Sequence, residues 1–211
     1  GLGTRMGILT RELPKPLLAV NGKPLIVHRV EALVAAGFGD IVINVAYLGE
    51  RIESALGDGA AFGARIAYSR EPDGPLGTGG GIARALPLLG NAPFVLVNAD
   101  VRCDYPLARL RRPLQGLAHL ILVDNPDHNA AGDFALLGDG RLANTGAPML
   151  TYAGLGVIDP RLLDGAGVGE FSLTPWLRRA ADAGQLYGEH HAGAWLDVGT
   201  PDRLARAQDT A

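Results

Sequence analysis

The strongest constraint on this chain is an alternation of short apolar runs with stretches of helical period. Residues 41–46 (IVINVA), 94–98 (FVLVN) and 120–123 (LILV) are rich in branched side chains and predict buried strands. Residues 24–37 (PLIVHRVEALVAAG) open on Pro24, close on Gly37 and repeat apolar residues at helical spacing. Residues 47–59 and 79–90 predict two further helices, the second shortened near Pro87. Residues 172–184 predict a helix stopped by Gly184, and Thr200 caps a terminal helix that begins at Pro201. Such alternation predicts an α/β fold, a doubly wound sheet whose ligands bind beyond the carboxyl ends of its strands. The stretch from about 118 to 157 departs from it, because AHLILVDNPDHNAAGDFALL and MLTYAGLGVI read as antiparallel strands. A small antiparallel lobe beside a mixed sheet is therefore expected.

With 211 residues the chain can bury one full core as a single domain. Its formal net charge of −3 gives a nucleic-acid surface no electrostatic support. Any bound anion must be held by a few local cations and backbone N–H groups. Cys103 is the only cysteine, so no internal disulfide can form and a reducing cytoplasm fits best. No apolar run approaches the roughly 20 residues of a membrane span, so no membrane partner is expected.

The first 17 residues, GLGTRMGILTRELPKPL, concentrate glycine, proline and cations. A dinucleotide fingerprint would need a third glycine where Met6 stands, and no glycine precedes Lys-Ser or Lys-Thr as a Walker loop requires. What remains is a phosphate-binding pattern. Gly1, Gly3 and Thr4 let backbone N–H groups approach an anion, and Arg5 offers a planar fork of donors. Pro14 and Pro16 stiffen the segment carrying Lys15, which then has less freedom to lose on gripping a ligand.

Two carboxylates follow the same logic. Asp100 ends the apolar run FVLVNAD, and Asp197 stands between a short apolar run and a helix start in AWLDVGTPDRL. Either could be a turn or capping residue. Together, near phosphate-binding cations, they are a ligand pair suited to Mg²⁺, which prefers carboxylate and phosphate oxygens. Gly77, Thr78, Gly79, Gly80 and Gly81 stand directly before a predicted helix, a possible anion site at its amino terminus.

The combination GLGTRM, LT and PKPL resembles the signature of the sugar-1-phosphate nucleotidylyltransferases. That resemblance implies a Rossmann-like nucleotidyltransferase fold with a nucleotide half at about 1–117, a sugar half at about 118–199 and a terminal helix at 200–211. It also implies a strand ahead of Gly1. It implies catalytic parts for Arg5 and Lys15, Mg²⁺ on Asp100 and Asp197, and nucleobase and ribose packing on Gly77, Thr78, Gly79 and Gly80. On the sugar side it points to Asn98, Asn125, Gly132, Gly154 and Glu170. Ser172 stands where many relatives carry a lysine shortly after that glutamate, which shifts phosphate neutralisation towards Lys15 and the metal. Four of the five histidines, His119, His128, His190 and His191, lack metal-ligand spacing and read as surface or structural residues.

PLGTGGG, LVNAD and LVDNPDHNAAGDF together look most like the short uridylyltransferases that act on N-acetylmuramic acid 1-phosphate in peptidoglycan recycling. The implied reaction takes UTP, or another nucleoside triphosphate, and a sugar 1-phosphate to a nucleotide sugar and pyrophosphate. Thymidylyl transfer to glucose 1-phosphate and guanylyl transfer to mannose 1-phosphate use the same parts and stay open. A nucleotide-sugar sensor without turnover would not need the paired carboxylates. Either a monomer or a small homo-oligomer is compatible with the short form.

Overall fold

A computed structural model describes residues 6, 7, 10 and 12–209. Gly1, Gly3, Thr4 and Arg5, and the strand expected ahead of them, lie outside the described residues. A short β-hairpin comes first, β1 (Ala19–Val20) with β2 (Lys23–Pro24), turned by Asn21 and Gly22, both at positive φ. Helix α1 (Leu25–Ala35) follows, then β3 (Asp40–Val45), α2 (Gly49–Leu56) and β4 (Arg65–Arg70). β3 and β4 pair in parallel, as the intervening helix requires.

Helix α3 (Gly77–Leu89) leads into β5 (Phe94–Val97) and the short β6 (Val101–Cys103). The helix runs through Pro87 instead of stopping short of it. Proline this near the carboxyl end removes one ladder bond, and Gly90 N–H still closes the turn on the Leu86 carbonyl at 2.9 Å.

The second half contains β7 (Ala118–Val123), β8 (Phe134–Leu136), β9 (Leu142–Ala143) and the long β10 (Met149–Ile158). It ends with α4 (Thr174–Asp182), β11 (Leu186–His190), β12 (Trp195–Asp197) and α5 (Pro201–Asp209). Six strands form one mixed sheet around β10. β7 lies antiparallel on one edge of β10, β5 and β8 share the other, and β11 extends the sheet parallel to β7. β10 changes register against β7 between Tyr152 and Gly156, and Gly154 in that irregularity has a φ of +76°. The bulge separates the stretch bonded to β5 from the stretch bonded to β8.

Period-two alternation along β7 feeds two cores. Ala118, Leu120 and Leu122 join Phe134, Leu177 and Leu186 on one face. Ile121 and Val123 join Tyr105, Leu110 and Leu155 on the other. Burial of each such Leu or Ile contributes about 1.5–3 kcal/mol, so this sheet is the rigid body on which the site is built.

Among the described residues, the parallel pair β3–β4 makes no ladder to this sheet. Between β3 and β5 lies a cleft of about 1100 Å³, lined by consecutive residues of both strands, Asp40 to Asn44 and Phe94 to Asn98. Successive side chains of a strand point to opposite faces, so four or five in a row can line one space only along the strand's edge. No helix among the described residues is long and apolar enough to cross a membrane.

Candidate active site

The polar end of the cleft collects residues from distant parts of the chain. Lys15 opens a single 3-10 turn (Lys15–Leu17) behind Pro14, which leaves its backbone little choice of direction. Its Nζ forms an ion pair with Asp100, 85 residues away, and the Lys15 side chain is only 13% exposed. Asp100 sits in the turn between β5 and β6, and its carbonyl accepts a 2.7 Å bond from Val198 N–H. Asp197 closes β12 and lies opposite Val101 of β6. The two predicted metal carboxylates thus leave the same end of one two-stranded ribbon, from neighbouring strands.

Arg203 holds Asp197 through Oδ1, and His128 Nε2 stands 3.4 Å from that oxygen. Arg203 comes from the first turn of α5, where its N–H reaches the Thr200 cap at 3.4 Å. Gly199 makes this packing possible, since a Cβ there would stand 3.0 Å from Asp197 Oδ2 and closer still to the Arg203 guanidinium. His128 is further steadied by stacking on Trp195, centroids 6.4 Å apart. Trp195 in turn donates its indole N–H to the Ala153 carbonyl at 3.0 Å, tying β12 to β10.

The donor set suits a hard divalent ion. Lys15 engages Oδ2 of Asp100, while Arg203 and His128 engage Oδ1 of Asp197, so each carboxylate keeps a second oxygen. Oxygen-only ligation with room for phosphate oxygens is what Mg²⁺ requires.

The glycine segment is arranged differently from the sequence expectation. Gly77 to Gly81 form the first turns of α3 instead of preceding the helix. Gly77 and Thr78 line the cleft. Gly79 and Gly80 are covered by the segment 169–171: Phe171 carbonyl accepts from both N–H groups, at 3.0 and 3.2 Å. A Cβ on Gly79 would lie 2.5 Å from the Phe171 ring, and one on Gly80 would collide with the Gly169 carbonyl. Two donors at the helix amino terminus are therefore spent inside the protein. Glu71 completes the loop, accepting from Leu76 N–H at 2.9 Å and from Asn44 at 3.1 Å.

The family model for nucleotidyl transferases matches residues 1–134. This chain belongs to the nucleotidyl transferase family. An N-acetylmuramate alpha-1-phosphate uridylyltransferase of Neisseria meningitidis serogroup B is 49% identical over 219 residues, covering 100% of this chain and 95% of its own. One of Caulobacter vibrioides is 36% identical over 225 residues, covering 99% of this chain and 92% of its own. The solved structure of HddC from Yersinia pseudotuberculosis complexed with GMP-PN shares the fold, with a TM-score of 0.78 and 19% identity over 99% of this chain and 95% of that one.

In this nucleotidyl transferase the sugar-side positions fall into two groups. Asn98 and Gly154 meet at the bulge of β10. Asn98 N–H bonds the Gly154 carbonyl at 2.9 Å, and a Cβ on Gly154 would lie 2.6 Å from Asn98 Nδ2. Asn125 and Gly132 are also together, but the amide is occupied. Asn125 donates to the Met149 and Ala130 carbonyls at 3.0 and 3.2 Å, and its Oδ1 accepts from Thr151 at 2.9 Å. These bonds tie the 125–132 loop to β10. Glu170 is exposed, on the segment that covers Gly79 and Gly80.

Sequence reasoning did not single out Arg203, His128, Glu71 or Trp195 for the site. Arg203 alone carried a usable signal: it lies on the helix whose start was recognised at Thr200, six residues beyond Asp197.

Proposed function

We propose that this chain transfers UMP from UTP to N-acetylmuramic acid 1-phosphate, giving the UDP-sugar and pyrophosphate in peptidoglycan recycling. The reaction class rests on the Lys15–Asp100 pair at the cleft and on Asp197 closing the strand opposite Val101, one residue beyond Asp100. The full-length likeness to the Neisseria uridylyltransferase supports the substrate pair.

The sugar phosphate oxygen attacks the α-phosphorus of UTP, forming the new P–O bond as the bond to the β-phosphate oxygen breaks and pyrophosphate leaves. The attacking oxygen is already anionic, so no side chain has to remove a proton. Repulsion between two phosphates is the obstacle, and catalysis is alignment plus charge neutralisation. Asp100 and Asp197 are the residues that would hold Mg²⁺, and a bound ion supplies positive charge between the reacting phosphates. Lys15 shifts from its partner Asp100 to a phosphate oxygen when substrate arrives. Arg5, outside the described residues, grips the pyrophosphate portion. Arg203 keeps the Asp197 carboxylate oriented, and Gly77 and Thr78 leave room for the nucleobase and ribose. Asn98 and Gly154 face the sugar.

Pyrophosphate release checks this with UTP, dTTP and GTP, each paired with N-acetylmuramic acid, glucose or mannose 1-phosphate. The highest kcat/KM is expected for UTP with N-acetylmuramic acid 1-phosphate. A higher value for another pair replaces the substrate assignment. Nucleotide binding with no release from any pair replaces catalysis with sensing.

A further inference from the structure

Outside this site, β6 and the turn before β12 bring together three side chains of metal-binding chemistry. Cys103 ends β6, Asp104 follows it, and His191 stands just beyond β11. One ligand atom from each lies within 4.8 Å of the other two. We propose that Cys103, Asp104 and His191 bind a divalent transition metal of the zinc class, which braces the β6–β12 ribbon at the end opposite Asp100 and Asp197.

The ligand chemistry suits that class and not magnesium. Thiolate, imidazole and carboxylate are the zinc donors, at about 2.3, 2.0 and 2.1 Å, and a tetrahedral set at those lengths needs ligand atoms about 3.3–3.6 Å apart. His191 Nε2 and Asp104 Oδ1 stand 2.5 Å apart and the three ligand atoms lie within 4.8 Å of one another, so metal binding requires the exposed Asp104 side chain to open outward and the set to adjust around the ion. One thiolate and one carboxylate neutralise a divalent charge. Burial raises the Cys103 thiol above its ordinary value, and the nearby Arg29 guanidinium opposes that rise. A metal ion bound to the sulfur removes the proton outright.

All three ligands sit on backbone that is already fixed. Cys103 is in register with Trp195, Asp104 N–H bonds the Ala194 carbonyl at 3.2 Å, and His191 N–H bonds the Leu122 carbonyl at 2.8 Å. The His191 ring packs edge-on against Tyr105, centroids 5.4 Å apart. Gly193 forms the lid: a Cβ there would come within 2.5 Å of Asp104 Oδ1 and of the His191 ring. Only glycine lets the turn pass this close to both ligands.

A metal at this point would add to the ties that already hold the ribbon, the packing of Cys103 and Trp195 on one core and of Leu196 on another. β6 and β12 make three registered pairs and, among the described residues, form no backbone ladder with another strand, the Trp195 side chain alone reaching β10. The ribbon's far end carries Asp100 and Asp197, so anything that stiffens it steadies both carboxylates. The metal-binding claim goes beyond the proposed function and does not depend on it.

Cobalt(II) is the probe, added to the chelator-treated full chain. Because Cys103 is the only cysteine, a thiolate-to-cobalt charge-transfer band can come from nowhere else. The expected result is a band that saturates at about one equivalent, is bleached by zinc and is absent in Cys103→Ser. His191→Ala should weaken binding by at least the 10–100-fold typical of losing a supporting residue at a metal site. Zinc should also protect Cys103 of the unaltered chain from a thiol reagent, a readout that no misfolded variant can confuse. No band in excess cobalt, a band unchanged in His191→Ala, or no protection by zinc overturns the site. Amide exchange along 101–103 and 195–197 should slow about tenfold with zinc. Unchanged exchange overturns the bracing while leaving binding to the spectroscopic result.

Discussion

The two halves of this molecule use the same kind of sequence to opposite ends. In the second half, the apolar run of β7 is buried throughout one core or the other, with Leu120, Ile121 and Leu122 at 0% exposure. In the first half, the equally apolar run of β5, Phe94–Val97, is part-exposed at all four positions, and Ile41, Val42 and Ile43 of β3 are too. The difference lies in what covers them. β7 has β10 and β11 on its two edges and packed cores on both faces. β5 borders the same two cores, Phe94 and Leu96 on one and Val95 and Val97 on the other, and has β10 on one edge, but its other edge opens on the cleft that Lys15, Asn98 and Asp100 also line. An apolar run therefore specifies a strand, but neighbours decide whether its edge is closed or left open.

Three experiments can break this contrast, and the largest effect belongs to the closed half. Leu120→Ala should destabilise by about 2–5 kcal/mol, because removal of a fully enclosed side chain leaves a cavity. Leu96→Ala removes a part-exposed side chain packed on the same core and should cost less, about 2 kcal/mol or under by the same reckoning. Denaturant midpoints at constant m-value measure both, and equal costs would erase the distinction.

Chemistry is expected to reverse the ranking. Asp197→Asn should lower turnover on the order of a hundredfold or more, in line with single electrostatic groups in other active sites, while leaving thermal stability nearly unchanged. Near-normal Mg²⁺-dependent turnover would remove Asp197 from the metal site. Lys15→Ala should follow the same pattern, with circular dichroism confirming an intact fold.

The smallest effect concerns pH and again sits in the closed half. Burial, and then the Arg112 guanidinium, push His119 down to about 4, and Arg112 Nη2 lies against the Nε2 side of the ring. Glu189 pulls the other way, and Arg109 adds to the lowering. An unfolded histidine titrates near 6.5, so between about pH 6.5 and 4 the unfolded state binds the extra proton. The contribution is intact above about pH 6.5 and fades as pH falls towards 4. In His119→Gln, melting temperatures should decline less steeply across that window. Parallel declines in both proteins would show that other groups set the acid sensitivity.

Much of this fold was readable from residue patterns alone. Strand–helix alternation located β3, β5 and β7 to within two residues, and the antiparallel reading of 118–157 anticipated β7, β8 and β10. Pro201 and Thr200 marked the last helix correctly, because capping is a local matter decided within one turn. The short pairings β6–β12 and β8–β9 escaped, since two or three residues carry no period. Parallel β11 also escaped, because LYGEH has too few apolar residues to stand out.

For the candidate site, the sequence by itself determined which chemistries were available: a lysine held between prolines, carboxylates at strand ends, glycines where backbones must approach. These follow from local conformational limits and side-chain type, which need no partner to be evaluated. Only the tertiary structure decided that Lys15 pairs with Asp100, that Arg203 and His128 gather on Asp197, and that Gly79 and Gly80 are spent on Phe171. Each of these contacts joins segments set side by side by sheet pairing or core packing. Contact across such distances is a property of the assembled core, to which any one segment contributes only a part.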